Sequence, residues 1–387
     1  MRGLTALPSP GKTPCRERAF IETNAARPGR LLRLHLGCVF DVSLLLTNAA
    51  PSLGRLRRPG DVDRFALMGT SIRVIIVNWN GGDQLVRCLE SFDAVAHDRV
   101  TLETVTVVDN ASADGSIDRA EAFRDRLPLR IIRNRDNRGF AAACNQAANG
   151  SSAEYLLFLN PDTELRPGCL EGPAQFLSDS ANAGFGIVGI KLIDSLGRNT
   201  RTCSRHPNLA SLIGGCVGLD RVLPSVFPPH FLPEQAHERT RRVDQVMGAF
   251  FFVRHALFKQ LGGFDERFFL YFEDADFALR ADKRGVSCGF LSSVCAVHTG
   301  HGSSGKVKAR RLFYFGRSRI QFAAKHFGLP GGLAVCATTL ILEPLLRAGQ
   351  AVVAGRIADI RDVAHGWALL CANVPAILQH SSADENA

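Results

Sequence analysis

Two neighbouring acids, Glu273 and Asp274, open a helical pattern inside the stretch GGFDERFFLYFEDADFALRADKRG, which runs from Gly262 to Gly285. At about 100° per residue, Phe272, Ala275, Leu279 and Val286 share an apolar stripe, and Glu273, Asp276, Arg280 and Lys283 share a charged face. Asp274 belongs to neither. Its side of the helix carries Ala278, Ala281 and Gly285, so no large side chain stands beside the carboxylate. A first-turn position sets it near the positive end of the helix dipole, which favours the ionised form. A carboxylate so placed can take a proton from a bound hydroxyl. Acids also favour first turns for structural reasons alone.

Asp162, in NPDTEL, follows an apolar strand-like run, with Asn160 two residues before it. One carboxylate and one amide oxygen at that spacing can face a hard divalent cation that carries phosphate oxygens. A Pro-Asp turn is the plainer reading. His298 opens HTGHGSSG and can be a further ligand to that metal, a contact to a diphosphate, or a polar cap on a strand. Asp109 closes VTVVD and opens NASADGS. A strand-end carboxylate there can accept hydrogen bonds from a nucleobase or ribose, or can cap a turn. Trp79, in NWNGG, can stack on a base or pack in the core. The tract HTGHGSSGK resembles an anion-binding loop without being a Walker A motif.

These residues need a scaffold, and the hydrophobic pattern supplies it. Ile72 to Val77 is apolar except for Arg73, which predicts a strand buried on both faces. Leu85, Cys88, Leu89 and Phe92 then recur at helical spacing. Thr104 to Val108, Leu129 to Ile132 and Tyr155 to Leu159 read as three more strands, with a small-residue helix from Phe140 to Ala148. This alternation predicts a mostly parallel α/β sheet, in which ligands sit beyond the carboxyl ends of the strands. Asn78, Trp79, Asp109 and Asp162 occupy those ends. Phe185 to Ile193, Val246 to Val253, Val286 to Leu291 and Val294 to Val297 are predicted strands of the second half. Residues 206–241, rich in Pro, His and Arg, show no sustained periodicity and are predicted to be a long functional or mobile loop.

At 387 residues and 46% hydrophobic, the chain can bury a large core, and its length suggests about two domains. The formal charge of +9 is uneven: residues 1–67 hold ten Arg and one Lys against five acids. The rest is mildly basic, so nucleic-acid binding is not inferred. Eleven Cys lie without CxxC or Cys/His ligand spacing, which points to buried thiols in a reducing compartment. Residues 1–67 lack the pattern of a secretory signal. A strong strand begins at Ile72, almost at once after Met68-Gly69-Thr70, so Met68 is expected to be the true start, with residues 1–67 an extension that does not fold with the domain. No uninterrupted apolar run is long enough to span a membrane. Lys306 to Lys325 carries seven Lys/Arg and no acid, with aromatics interleaved. It can be a solvated face, a surface for anionic membrane, or a reach toward a diphosphate. After it, the apolar run from Leu333 to Leu342 is broken by Glu343-Pro344 and reads as a short wedge lying on a bilayer or as a helix packed on the domain.

In their order, VIIVNWNG, VTVVDNASADGS, NRGFAAACN, FLNPDTEL, GAFFFVRHALFKQLGGFDERFFLYFEDADFALR and VHTGHGSSG make the chain resemble glycosyltransferase family 2, nearest its rhamnosyltransferase-like branch, over residues 71–327. The resemblance implies a GT-A fold: α/β, a mostly parallel central sheet with flanking helices in residues 68–327, then a helical extension in 328–387. It implies inverting transfer of a sugar, rhamnose by branch, from a nucleotide-diphosphate sugar. The acceptor would be a saccharide or a polyprenyl-diphosphate-linked saccharide in surface polysaccharide synthesis, met at the cytoplasmic face of the membrane. Carried over, Asp109 binds the nucleoside, and Asn78, Trp79, Asn80, Asn110, Asn137, Gly139, Asn160 and Asp162 surround the donor. Asp162 and His298 hold a divalent metal, Mg2+ or Mn2+. Asp274 is the general base, and Glu273 orients the acceptor or the base. Asn160 stands where the family often has a first acid, which implies weaker metal affinity. Two alternatives fit less well. A sugar-phosphate nucleotidyltransferase needs a basic residue in the loop after the first strand, and NWNGGDQ has none. A non-catalytic nucleotide-sugar-binding module could dispense with the acids at 162 and 274, and both are present.

Overall fold

The computed structural model describes residues 69–93, 95, 99–300, 308–353 and 357–379, all of them within one compact unit. The 1–67 extension, residues 301–305 of the Gly-rich tract and Lys306 lie outside the described residues.

The first half follows the predicted alternation: β1 (Ser71–Asn78), α1 (Asp83–Glu90), β2 (Thr101–Asp109), α2 (Ser116–Ala120), β3 (Leu129–Arg133), α3 (Phe140–Ala148) and β4 (Tyr155–Leu159). The second half runs β5 (Thr163–Glu164), α4 (Glu171–Ser178), β6 (Phe185–Ile193), β7 (Cys203–Ser204), α5 (Leu209–Val217), α6 (Leu219–Val222), β8 (Arg241–Val243), β9 (Gln245–Val246), β10 (Phe250–Arg254), α7 (His255–Gln260), α8 (Glu273–Asp282) and β11 (Ser287–His298). A helical tail closes the chain: α9 (Lys308–Ala337), a π turn (Thr338–Leu342), α10 (Glu343–Val353) and α11 (Ile357–Gln379).

The main sheet has the order β3-β2-β1-β4-β10-β6-β11-β5, with β8 also paired to β11. β1 lies parallel to β2 and β4, and β2 to β3. β10 enters antiparallel between β4 and β6, after which β11 is again parallel to β6. In the β1–β2 register Asn78 faces Asp109, so both polar strand ends finish level. The exception in the apolar β1, Arg73, is buried and satisfied. Its Nε lies 2.6 Å from Glu103, and it donates to the carbonyls of Ala147 and Asn149 at 3.1 Å. Alanines and Cys144 make α3 thin enough to lie close on the sheet, where Ala141, Ala143, Cys144 and Ala147 are fully buried. Beside them Phe158, Phe251, Phe258, Phe264 and Phe277 interlock, with Phe158 and Phe264 edge to face at 4.8 Å.

Three predicted elements come out differently. Val246 to Val253 is two strands, β9 and β10, divided at Met247–Ala249. Val286 to Leu291 and Val294 to Val297 belong to one strand, β11, with a register shift between Leu291 and Cys295. The predicted loop 206–241 contains α5, whose start is fixed by a reciprocal Asn208–Ser211 capping box.

The charged face predicted for α8 is also corrected. Phe277, Ala278 and Ala281 pack toward the sheet, while Ala275 and Leu279 pack toward α9, so the helix is covered on both sides. Asp276 is fully buried, bonded to Arg280 at 2.7 Å, Lys325 at 2.6 Å and His326 at 2.8 Å. Burial opposes its charge, yet His326, Arg280 and Lys325 together hold its carboxyl well below the usual range. Lys325 also reaches Asp265 at 2.6 Å, so this network ties α9 to both ends of the segment that carries the acids. Asp276→Ala is expected to lower stability by roughly 3–5 kcal/mol, the usual size of breaking a buried pair. With the folded pKa depressed, the contribution is complete above the unfolded value and fades as pH falls through it. Urea denaturation at neutral and acid pH checks this, and an unchanged midpoint at neutral pH would count against it.

The tail kinks at Gly328, where φ is 69°. By length and composition, residues 308–353 are long and apolar enough to cross a membrane, although charged residues and Glu343-Pro344 interrupt the apolar run. The first arm of that stretch is held to α8 by Lys325 and His326 and by Phe322 against Phe272 at 5.4 Å.

Candidate active site

One end of the candidate site is built from the level ends of β1 and β2. Asn78 Nδ2 lies 2.9 Å from Asp109 Oδ1, 3.0 Å from Ser112 Oγ and 2.9 Å from Ser116 Oγ. Asp109 Oδ2 accepts from the Ser112 N–H at 3.1 Å. Asn80 closes the same turn by accepting from the Ala113 N–H at 2.8 Å. Gly81 is needed beside it, because a Cβ there would stand 2.4 Å from Asn78 Oδ1. Trp79 is half-buried at the rim rather than fully exposed. Asn110 donates to the Gly139 carbonyl at 3.0 Å, and Asn137 accepts from the Gly139 N–H at 3.0 Å. Gly139 has φ 84°, and a Cβ on it would meet the Phe269 carbonyl at 2.5 Å. Its turn therefore requires glycine.

At the end of β4, Asp162 is 8% exposed, and His298 Nε2 at the end of β11 lies 3.3 Å from its Oδ1. The structure thus brings together two residues 136 positions apart that the sequence suggested as co-ligands. Asn160, half-buried, lies on the same turn, where its carbonyl accepts from the Thr163 N–H at 3.1 Å. A carboxylate and an imidazole form a donor set that a divalent cation can use, with phosphate oxygens and water completing the shell. No group of three His, Cys, Asp or Glu side chains suited to a metal occurs among the described residues.

Asp274 sits in the first turn of α8. The chain reaches it through Tyr271 and Phe272, both at φ 71°. Bulky residues in the left-handed region each cost about 1–3 kcal/mol and persist only where neighbours enforce them. Here α9 does so: Phe315 packs on Tyr271 at 5.7 Å and on Phe272 at 5.5 Å, and Ser318 Oγ donates to the Leu270 carbonyl at 2.8 Å. Asp274 Oδ2 accepts from the Gly248 N–H and Oδ1 from the Ala275 N–H, each at 2.8 Å. The Gln245 side chain gives a further hydrogen bond. Burial raises the Asp274 pKa against the pull of these donors.

Glu273 was expected to orient the acceptor or the base. It is 6% exposed, with Oε2 finding no partner among the described residues. Burial first, then the charge of Asp274, pushes its pKa well above the usual range. It is a buried carboxyl directly before Asp274 in the first turn of α8. Sequence reasoning missed Gly248, Gln245 and the aromatic clamp of α9. The glycine in MGAFFF, between two apolar runs, was the available signal for a close backbone approach.

The sequence profile of glycosyl transferase family 2 matches residues 73–262, from β1 through α7. Residues 73–262 of the chain are of glycosyl transferase family 2. The chain is a glycosyltransferase with the inverting chemistry and GT-A fold of that family. Among relatives, the N-acetylglucosaminyl-diphospho-decaprenol L-rhamnosyltransferase of Mycobacterium tuberculosis is 28% identical over 301 residues, covering 71% of this chain and 94% of its own. The rhamnosyltransferase WbbL of Escherichia coli is 22% identical over 173 residues, covering 44% of this chain and 62% of its own. Among solved structures, the mannosyltransferase PcManGT of Pyrobaculum calidifontis, in complex with GDP-Man and Mn2+, has a TM-score of 0.47 at 16% identity, covering 82% of this chain and 91% of that one.

Proposed function

We propose that this glycosyltransferase moves rhamnose from a nucleotide-diphosphate donor onto a saccharide carried by a polyprenyl diphosphate, with Asp274 as general base. One feature supports this most. The turn 247–249 bonds in two directions: the Gly248 N–H to Asp274 at 2.8 Å, and the Ala249 carbonyl to the Asn160 N–H at 3.1 Å. The base and the Asp162–His298 pair thus share one short support, next to the strand ends bearing Asn78 and Asp109. That succession suits a nucleoside, its diphosphate and an acceptor hydroxyl in a row.

In this reading Asp109, with Asn78 and Asn80 fixing its turn, receives the nucleoside. Asn110, Asn137 and Gly139 shape the adjoining wall, and Trp79 flanks the base. Asp162 and His298, with Asn160 beside them, would hold a divalent cation, which would supply positive charge to neutralise the diphosphate. Asp274 takes the proton of the acceptor hydroxyl as that oxygen attacks the anomeric carbon from the face opposite the leaving diphosphate, inverting the centre. Burial and the charge of Asp274 both disfavour a charge on Glu273.

An anionic membrane surface is part of the proposal. Leu333, Ile341 and Leu345 are 48%, 60% and 68% exposed on the tail, and Arg310 and Arg311 are exposed on the same run of helices. Arg319 and Lys325 are taken up in internal pairs, so the cationic face is smaller than the sequence suggested. The test is release of nucleoside diphosphate from a panel of nucleotide sugars, with a sugar diphosphate lipid in anionic or neutral vesicles. A preference for a nucleotide-diphosphate rhamnose and faster turnover on anionic vesicles are expected. Acceptor-independent release, or preference for a different donor, would overturn the substrate assignment.

A further inference from the structure

Between α9, the π turn, α10 and α11 lies a shallow open crevice walled by Leu312, Phe315, Thr339, Pro344, Val363 and Trp367. Its floor is charged. Arg319, 4% exposed, pairs with Glu343 and donates to Thr339 Oγ1 at 2.8 Å, while its Nε finds no partner among the described residues. Arg347, half-exposed at the mouth, shares the same Glu343 carboxylate at 2.7 Å. Among the described residues Glu343 is the only acid lining the crevice, so two guanidiniums over one carboxylate leave it net positive.

The crevice has an apolar outer edge, and its inner wall touches the segment that leads into α8. On the outside stand Ile341, Leu342, Leu345 and Leu346, all exposed. On the inside, Phe315 lies under the Arg319 guanidinium at 5.5 Å and against Phe272 at 5.5 Å. Phe272 precedes Asp274 by two residues. A ligand that is greasy at one end, anionic in the middle and hydroxylated at the other would meet matching surfaces in that order.

We infer that this crevice receives the lipid end of the acceptor: the isoprenoid units next to the diphosphate lie along Phe315, Pro344, Val363 and Trp367, and the diphosphate meets Arg347, backed by Arg319. The inference rests on the lipid-linked acceptor proposed above. It gives the helical tail a part in catalysis beyond its packing on α8. A lipid chain so gripped would present its sugar past Phe315 toward Asp274.

The test compares the full-length enzyme on one sugar diphosphate carried either by a long polyprenol or by a short alkyl chain. Val363→Trp, which fills the crevice, is expected to raise KM for the polyprenyl acceptor roughly tenfold while kcat and donor KM hold. Its KM for the short-chain acceptor should not change. Trp367→Ala, which removes a wall instead, should shift the same KM in the same direction. Arg347→Gln should raise KM for both acceptors, because both carry the diphosphate. If the folded crevice variants treat the two acceptors as the wild type does, or lose equally on both, the crevice is not the lipid site. If the wild type transfers to neither lipid, the acceptor class is wrong and this inference falls with it.

Discussion

Asp274→Asn is expected to lower turnover by a factor of about 100 or more while donor affinity stays near wild type. The amide keeps the shape of the carboxylate and can still accept from the Gly248 N–H, which lies 2.8 Å away. It cannot take a proton. The loss should therefore appear in kcat, with calorimetric binding of the nucleotide sugar little changed. The wild-type pH profile carries a second signature. Burial raises the Asp274 pKa above its ordinary value of 3.8, and the base works only when ionised. The acid limb of kcat should accordingly lie above the ordinary carboxylate range. Glu273→Gln is the matched control. Burial, with the charge of Asp274, raises the Glu273 pKa and so disfavours its charged form, and a neutral amide of the same shape should retain most turnover. Full activity in the Asp274 variant, with loss in the Glu273 variant, would exchange the two roles.

How far the site could be read in the sequence depends on how local each determinant is. Tyr155–Leu159 needed only five consecutive apolar residues to announce a buried strand, and its bounds agree with β4. Phe140–Ala148 was equally plain, as an alanine-rich run that suits a helix packed close on a sheet. Asp109 and Asp162 followed because strand ends are where ligands gather in α/β sheets. The helix LASLIGGCV was missed because it is apolar on most sides and holds two glycines, so no amphipathic period stands out. Its Asn208–Ser211 cap was the one local clue. Asp276 was misread for a different reason. Its partners Lys325 and His326 lie 49 and 50 residues away, and an i,i+4 pair with Arg280 looks the same on a solvated face as in a core. The strain at Tyr271 and Phe272 was likewise hidden, since only the packing of α9 enforces it.

Asp162→Ala is expected to weaken nucleotide-sugar binding in the presence of Mg2+ or Mn2+, and chelator should reproduce the effect in the wild type. The diphosphate is the most highly charged part of the proposed donor, and Asp162 is 8% exposed at the end of β4, where that group would sit. Removing its carboxylate leaves His298 and the Asn160 amide, a neutral set for a hard cation that prefers anionic oxygen. The loss should be large in binding, about tenfold or more, since a single carboxylate carries the protein's negative charge in the set. Binding is the decisive readout because it separates this role from that of Asp274. Calorimetry with and without metal should show a metal-dependent donor affinity in the wild type and almost none in the variant. His298→Ala should shift affinity in the same direction by less, because an uncharged imidazole is lost rather than a charge. Asn160→Asp supplies the opposite perturbation: a second carboxylate beside Asp162 should tighten metal binding and lower the metal concentration needed for half-maximal donor binding. If donor affinity is the same in excess chelator as in Mn2+, and Asp162→Ala leaves it unchanged, the Asp162–His298 pair is a structural link between β4 and β11, and the diphosphate is neutralised elsewhere.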